Sequence, residues 1–453
     1  MYILPRDTEL TIPLLQEFLD EHRQEVKNRF EKLKAAYESD HDILYAPAKP
    51  KYKPDNRIVV NFVKYIVDTM NGFFIGNPIK TVAEDEAVSA YVEYLDQYND
   101  QDDNNAELSK LCDIYGRGYE TYFADEEAEL CITYLSPVEA FMIYDDSIIE
   151  RPLFFVRRFF DREGKEYGEI SNKYGKRPFI VTGGLRWTTD DWEPHNFKDV
   201  PATEYIENTE RQGIAEPILS IQNAYNKAVS EAANDVDYFA DAYLKVLGAK
   251  VENEDIAFIR DTRVLNLIGE DAEKIIAEFM DKPSNDTAKE NLLNRLERLI
   301  FNISMVANIS DENFGASSGI ALRYKLQAMS NLEKTKERKF ASGMNRRYKV
   351  LFGHPASKVP ADAWMQLQYQ FTPNIPANML EEAQIAAQME GIVSHETQLK
   401  VLSLVDNVQE ELDRIDEENK APEINPIEKT MFGNEPSDEE TEGLNDEQQG
   451  ILE

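Results

Sequence analysis

Apolar residues recur at three- and four-residue intervals along much of this chain, the spacing of helices buried on one face. The longest such run follows the Gly/Ser stretch Gly315-Ala-Ser-Ser-Gly319. There Leu322, Leu326, Met329, Leu332, Phe340, Met344, Tyr348 and Leu351 keep the period, with Lys336 as the one interruption. Gly319 to Leu351 is 33 residues, roughly 50 Å of helix at ~1.5 Å per residue. Nearer the N-terminus, Thr11 is a suitable N-cap and Pro13 fits the first turn of another helix. Its face carries Leu15, Phe18, His22, Val26, Phe30, Leu33 and Tyr37. Pro47, Pro50 and Pro54 mark an extended arm. A second helix is read over Asn56–Pro78, with Val59, Val63, Ile66, Val67, Met70 and Phe73 inward and Gly76-Asn77-Pro78 as its stop.

From about Tyr119 to Tyr205 the pattern shortens. Tyr119–Phe123, Leu130–Leu135, Phe154–Phe159, Phe179–Thr182 and Leu185–Trp187 are aromatic or β-branched runs. They are bounded by turns at Asp161–Gly164, Gly175 and Gly183-Gly184. These features predict a meander of antiparallel strands.

Helical period returns over Ala215–Leu247, through Ile218, Ile221, Tyr225, Val229, Val236, Phe239 and Tyr243. A compact insert from Ala249 to about Lys282 holds short apolar runs such as Arg263–Ile268. Ser284 then caps a further helix with Leu292, Leu296, Leu299, Ile303 and Val306 as its stripe. Beyond the longest helix, Pro355, Pro360, Pro373 and Pro376 interrupt the chain. Ala377–Gly391 reads as helix, and Asp406 with Gln409 starts a last one through Val408, Leu412 and Ile415. The pattern is α+β, and 453 residues favour more than one domain.

Charge sharpens the picture. The chain carries a formal net charge of −36, which argues against a protein that wraps nucleic acid tightly. Yet the longest helix is basic. Arg323, Lys325, Lys334, Lys336, Arg338, Lys339, Arg346, Arg347 and Lys349 stand against Glu333 and Glu337 alone. A solvated amphipathic face accounts for this pattern, and so does a moving part beside a polyanion. The C-terminal stretch from Asp406 is strongly acidic, and its end is expected to be disordered. Two cysteines, Cys112 and Cys131, make no disulfide framework and fit a reducing compartment. The start lacks the basic and apolar regions of a secretory signal. No window approaches the ~18 apolar residues of a membrane span, so a soluble, cytosolically made protein with no membrane partner is expected.

Candidate chemistry is sparse. No phosphate-cradling GxxxxGK[ST] loop occurs, and Gly116/Gly118 and Gly183/Gly184 read as turns. His22, His41, His195, His354 and His395 are scattered without metal-ligand spacing. His22 reads as a satisfied core histidine. His195, near Trp192 and Glu193, reads as part of a surface turn rather than a general base. Asp145-Asp146 and Asp190-Asp191 are acid pairs of the kind expected by chance in so acidic a chain. Neither a catalytic site nor a cofactor is expected.

Several longer stretches, taken together, resemble the portal proteins of tailed double-stranded DNA bacteriophages, of the type in long-tailed phages of Gram-positive bacteria. They are NRIVVNFVKYIVDTMNGFFIGNPI (56–79), IQNAYNKAVSEAANDVDYFADAYLKVLG (221–248), SSGIALRYKLQAM (317–329), KERKFASGM (336–344) and EEAQIAAQMEGIVSHETQLKVLSLVDNVQEELDRI (381–415). The likeness runs in order along nearly the whole chain, and none of its motifs is catalytic. It implies a portal-type fold and a ring, usually of about twelve subunits, at one capsid vertex. DNA would pass through the ring's channel during packaging and ejection. Residues 1–214 would form the wing, 215–247 and 284–307 the stem helices, and 248–283 the clip. Residues 308–318 would be the tunnel loop, 319–352 the tunnel helix, 353–420 the crown and 421–453 an acidic tail.

The resemblance also implies site residues and partners. The channel loop would present Asn308, Ser310, Asp311, Glu312, Asn313, Phe314, Gly315, Ser317, Ser318 and Gly319. The clip would offer Glu252, Glu254, Asp255, Arg260, Arg263, Glu270 and Asp271 to docking proteins. The partners would be further copies of the chain, the terminase large subunit, a head-to-tail adaptor, and the major capsid and scaffolding proteins. Double-stranded DNA would pass without being gripped, because an acidic wall repels it, whereas many phosphate contacts would make the pore sticky. Gly315 and Gly319 would give the loop its backbone freedom. The sequence leaves open whether the helix cations face DNA or acidic neighbours across a subunit interface, and the interface is favoured. Two other classes are consistent with the residues. One is a nucleic-acid-binding protein using Arg323–Lys349 directly, and the other is a ring-forming adaptor unconnected with DNA passage.

Overall fold

The computed structural model describes residues 1–6, 8–50, 53–240, 244–247, 276–279, 286–309, 319–374, 379–402, 404–405 and 408–419. Strand β1 (Tyr2–Leu4) leads into helix α1 (Ile12–Glu25), which Thr11 enters in extended conformation with proline in the first turn. A π turn, Val26–Phe30, joins α1 to α2 (Glu31–Tyr37). The expected stripe is buried from Leu15 through Leu33. Its successive four-residue steps each overshoot an α-helical turn by roughly 40°. The wider π turn takes up that drift and keeps Val26 and Phe30 inward.

Helix α3 spans Phe62–Ile75, six residues shorter at its start than the sequence reading. The Asn61 side chain accepts from the Lys64 amide at 2.9 Å and caps it there. Residues 56–61 form no regular element instead, and Val59 is only half-buried. Between Pro78 and Tyr119, where the periodicity argument names no element, lie β2 (Lys80–Val82), α4 (Glu86–Tyr98) and α5 (Gln101–Tyr115). Asp85 caps α4 by accepting from the Ala87 amide at 2.9 Å. Gly116, at φ +82°, ends α5 in the left-handed conformation.

The β-rich region is the expected meander with more strands. These are β3 (Arg117–Ala124), β4 (Leu130–Leu135), β5 (Ala140–Asp145), β6 (Pro152–Phe160), β7 (Glu166–Ser171) and β8 (Gly175–Ile180), then β9 (Arg186–Trp187), β10 (Glu193–Pro194) and β11 (Ala202–Ile206). One seven-stranded sheet runs β1-β5-β6-β7-β8-β10, with β9 also on β8, and its β1–β5 pair is parallel. A three-stranded sheet runs β11-β3-β4. Gly175 opens β8 rather than making the turn. The Asn172 side chain makes it by accepting from the amides of Tyr174 and Gly175 at 2.7 and 3.0 Å. Helix α1 covers the large sheet over a core that includes Leu15, Leu19, Phe141, Ile143, Val156 and Phe179.

Helix α6 (Leu219–Ala240) ends seven residues before the expected Leu247. The next described element is β12 (Leu244–Leu247), which pairs antiparallel with β13 (Ile276–Phe279). Residues 248–275 lie between these two strands in the chain. Helix α7 (Asp286–Ser304) packs on α6, and α8 (Gly319–Phe352) is the 34-residue helix that the sequence announces. Strand β14 (Gln368–Gln370) returns to β2. The core beneath α3, α4, α5 and α8 includes Ile66, Met70, Leu95, Leu108, Phe340 and Met344. The chain from Pro376 is a separate unit. It holds α9 (Met379–Gln388), α10 (His395–Leu399, capped by Ser394) and α11 (Val408–Asn419). The proposed cap of the last helix, Asp406, lies outside the described residues.

Candidate functional site: a strapped helix pair and the long basic helix

The inner face of α6 is polar. Gln222, Asn226, Ser230 and Asn234 follow one another at four-residue steps and are all buried. Their side-chain oxygens accept from the backbone amides of Phe62 (3.1 Å), Val60 (3.0 Å), Ile58 (2.9 Å) and Asn56 (2.6 Å). Gln222 also donates to the Val60 carbonyl at 2.5 Å. Every second amide from Asn56 to Phe62, the first residue of α3, thus finds on a helix a hydrogen bond of the kind a neighbouring strand would supply. The match works because two strand residues rise ~6.6 Å and four helical residues ~6.0 Å. His41 completes the row by meeting the Asn226 side chain at 3.0 Å. The apolar-period reading of Ile221, Tyr225 and Val229 passed over this stripe. The same four-residue period, applied to Gln, Asn and Ser, carries it.

With its polar face inward, α6 turns apolar residues elsewhere, and Val236 is 61% exposed. Helix α7 behaves alike. Ile300 and Ser304 are buried, whereas Leu292, Leu299 and Ile303 of the expected core stripe are exposed. Phe301 holds the pair to α3 through edge-on contacts with Phe62 and Tyr65 at 5.6 and 5.8 Å. Lys289 and Asp235 form an ion pair between the two helices.

The long helix does not present all its cations outward. Lys336, which breaks the apolar stripe, is 2% exposed and pairs with Asp113 of α5 and with Glu207, the latter at 3.0 Å. Burial pushes the Asp113 carboxyl up to about 8, against the pull of the Lys336 ammonium. Burial alone would lower the ammonium, but the carboxylates of Asp113 and Glu207 hold it raised. One turn from the end of the helix, Arg347 is fully buried. It donates to Glu120 of β3 at 2.8 Å and to Asn105 of α5 at 2.6 Å. Glu120 also accepts from Tyr122 (2.9 Å) and Tyr205 (3.2 Å). Lys336 and Arg347 are therefore corrections to the reading of a basic surface. Each is taken out of water because α5, β3 and the chain after β11 supply opposite charge within the same subunit.

The remaining cations are more open. Arg346 pairs with Asp199 at 3.0 Å, Lys334 with Glu337 at 2.5 Å, and Lys339 donates to Thr209 at 3.2 Å. Arg338 is exposed and donates to Thr335 at 3.2 Å. Lys325 is exposed too, and Arg323 falls in the first turns of α8. Asn308 donates to Glu297 at 3.3 Å, and Gly319 opens α8. Ser310, Asp311, Glu312, Asn313, Phe314, Gly315, Ser317 and Ser318 lie outside the described residues, as do Glu252, Glu254, Asp255, Arg260, Arg263, Glu270 and Asp271.

The stripe histidine of α1 is structural. His22 is buried against the Pro137 carbonyl at 2.8 Å, and burial pushes its imidazole down to about 3. Among the described residues, no group of three or more His, Cys, Asp or Glu could hold a metal ion, and no helix is long and apolar enough to cross a membrane.

Comparison with known proteins is consistent along the chain. A family model described as "Phage portal protein, SPP1 Gp6-like" matches residues 16–423. The portal protein of Bacillus phage SPP1 is 24% identical over 444 residues, covering 89% of this chain and 86% of that protein. The portal protein of Clostridium phage phiCD119 is 24% identical over 224 residues. That match spans about half of each chain, 48% of this one and 48% of the relative.

Proposed function

The chain belongs to the SPP1 Gp6-like family of phage portal proteins, and on that premise we propose how its parts serve the role. As a portal protein it is a structural component of the virion, placed at a capsid vertex, and not an enzyme. In our reading, copies of the chain close into a ring whose channel carries double-stranded DNA during packaging and ejection. Residues 1–214 form the wing, and α6 and α7 the stem. The insert 248–283 is the clip, where terminase and later the head-to-tail adaptor dock. Residues 308–318 are the tunnel loop, α8 is the tunnel helix, and 353–420 form the crown. Major capsid and scaffolding proteins are the remaining partners.

The observation that carries the ring is the outer face of the stem. Leu292, Leu299 and Ile303 stay exposed on α7 although the helix is already packed on its inner side through Ile300. A subunit beside it in a ring would cover that apolar row. The acidic balance of −36 suits a channel that must let DNA slide. Burial of Lys336 and Arg347 inside one subunit also removes two charges from the reading in which this helix grips nucleic acid directly. Negative-stain electron microscopy with native mass spectrometry tests the proposal. Rings of about a dozen subunits around a duplex-wide hole are expected. A chain that stays monomeric at high concentration, even with the other head proteins present, would overturn it.

A further inference from the structure

A cleft of about 910 Å³ lies where the segment after β1, the β5–β6 and β7–β8 hairpins and the C-terminal end of α8 converge. Its lining includes Arg6, Arg151, Lys173 and Lys349. All four are exposed, and none makes an ion pair among the described residues. Two of the three carboxylates in the lining are already engaged. Asp145 accepts from Ser147 at 2.6 Å and from the Arg151 amide at 2.8 Å, and Asp199 pairs with Arg346 at 3.0 Å. Beside these cations stand exposed apolar groups, with Ile148 at 104%, Ile149 at 69% and Tyr174 at 72%. A basic concavity edged with bare isoleucine and tyrosine suits a protein surface better than a nucleic-acid backbone, which offers no apolar groups there. Glu150 at its wall and the charge of −36 also oppose a long polyanion.

The same chain carries a surface of opposite character. The corner between α4 and α5 and the β3–β4 turn are joined by the Tyr98 hydroxyl, which donates to Asp125 at 2.6 Å. Around that joint Glu93, Asp100, Asp102, Asp103, Glu126 and Glu127 are exposed and make no ion pair among the described residues. Tyr98 is 43% and Phe123 48% exposed beside them. We propose that the basic cleft of one subunit seats the acidic α4–α5 corner of a second copy of this chain. The inference rests on the ring reading above and names a surface for it. A ring closes through two different, complementary patches on every subunit, and these two match in charge and in apolar edging.

Charge reversal on either side provides the test, at residues outside any helix so that each variant folds. One variant carries Arg151→Glu with Lys173→Glu, a second Glu126→Lys with Glu127→Lys, and a third all four. Thermal melts check folding, and sedimentation velocity with native mass spectrometry measures assembly against concentration. Each two-site reversal is expected to raise the concentration needed for assembly roughly tenfold or more. The four-site chain, in which the charges again oppose, should recover most of that loss. Rings that form alike in all variants would overturn this pairing and leave the ring reading standing, whereas a wild-type chain that never assembles would defeat both. A two-site loss without recovery would assign the cleft to another acidic surface. Loss of binding to a short DNA duplex in the first variant, with assembly unchanged, would assign it to nucleic acid; either result overturns the proposal.

Discussion

Lys336 and Asp113 are 223 positions apart in the chain and meet where solvent does not reach, at 2% and 0% exposure. With Glu207 also on the ammonium, two carboxylates share one cation. Burial disfavours the ionised Asp113 carboxyl, and the neighbouring Glu207 adds to that push, so Asp113 holds its proton up to about pH 8. A carboxyl whose folded-state value is raised contributes stability that is complete below its unfolded value of ~3.9. That contribution is lost as pH rises through the folded value. The wild-type chain is therefore expected to lose stability from about pH 4 to about pH 8 through this residue, and Asp113→Asn should flatten that slope. Urea midpoints at pH 6 and pH 9 check it, and equal slopes in the two proteins would refute the assignment.

Removing the cation instead should be costly. Lys336→Met leaves Asp113 and Glu207 buried without their partner and is expected to destabilise the subunit by about 3–5 kcal/mol. Adding Glu207→Leu to that variant should return part of the loss. A Lys336→Met protein that melts like wild type would show that the pair is not formed in solution.

The polar ladder makes a local prediction. Asn226→Leu leaves the Val60 amide without its side-chain acceptor, while Gln222 still holds the Val60 carbonyl, and should cost about 1–3 kcal/mol. Amide hydrogen exchange should accelerate at Ile58, Val60 and Phe62 first, while amides of the seven-stranded sheet stay protected. Uniform acceleration across residues 1–214 would mean that the segment is held by something other than α6.

On the exposed face of α7 the expectation reverses. Leu299→Glu and Ile303→Glu lie at exposed positions, so the monomer should change by no more than about 0.5 kcal/mol. Assembly should fail, as read by native mass spectrometry. Intact rings carrying both substitutions would place the subunit contact elsewhere.

For the proposed tunnel loop, Gly315→Pro with Gly319→Pro is expected to permit rings but reduce DNA packaged per head. Gly319 is the first residue of α8, where proline is tolerated, so the effect should come mainly from Gly315. Full-length DNA in such heads would remove the need for a mobile loop.

Much of the architecture was legible because burial imposes a period. The 34-residue helix, the six inward residues from Leu15 to Leu33 and strands such as Leu130–Leu135 all follow from apolar spacing. What escaped was polar and interior. Lys336 and Arg347 look like surface cations in sequence, because their partners Asp113, Glu207 and Glu120 lie more than a hundred residues away. Gln222, Asn226, Ser230 and Asn234 look like a solvated face, because the backbone they serve belongs to a distant segment. The end of α6 at Ala240 was hidden for a related reason. Val246 and Leu247 fit a helix by spacing, and only their pairing with Ala277 and Ile276 makes them strand. The clip and tunnel-loop residues follow from family likeness alone.

The ladder between segment 56–62 and α6 has the spacing of a mechanical detent. Each rung joins an amide to a side chain one helical turn from the next. A slide of α6 by a fraction of a turn breaks all four bonds together and re-forms none. A slide by a whole turn offers every rung but the last a new partner. The two rises differ by ~0.6 Å per rung, so the match tightens only over a short vernier of this length. A small force along α6 is therefore expected to reach segment 56–62 without slip, and a larger one to release the ladder in whole turns.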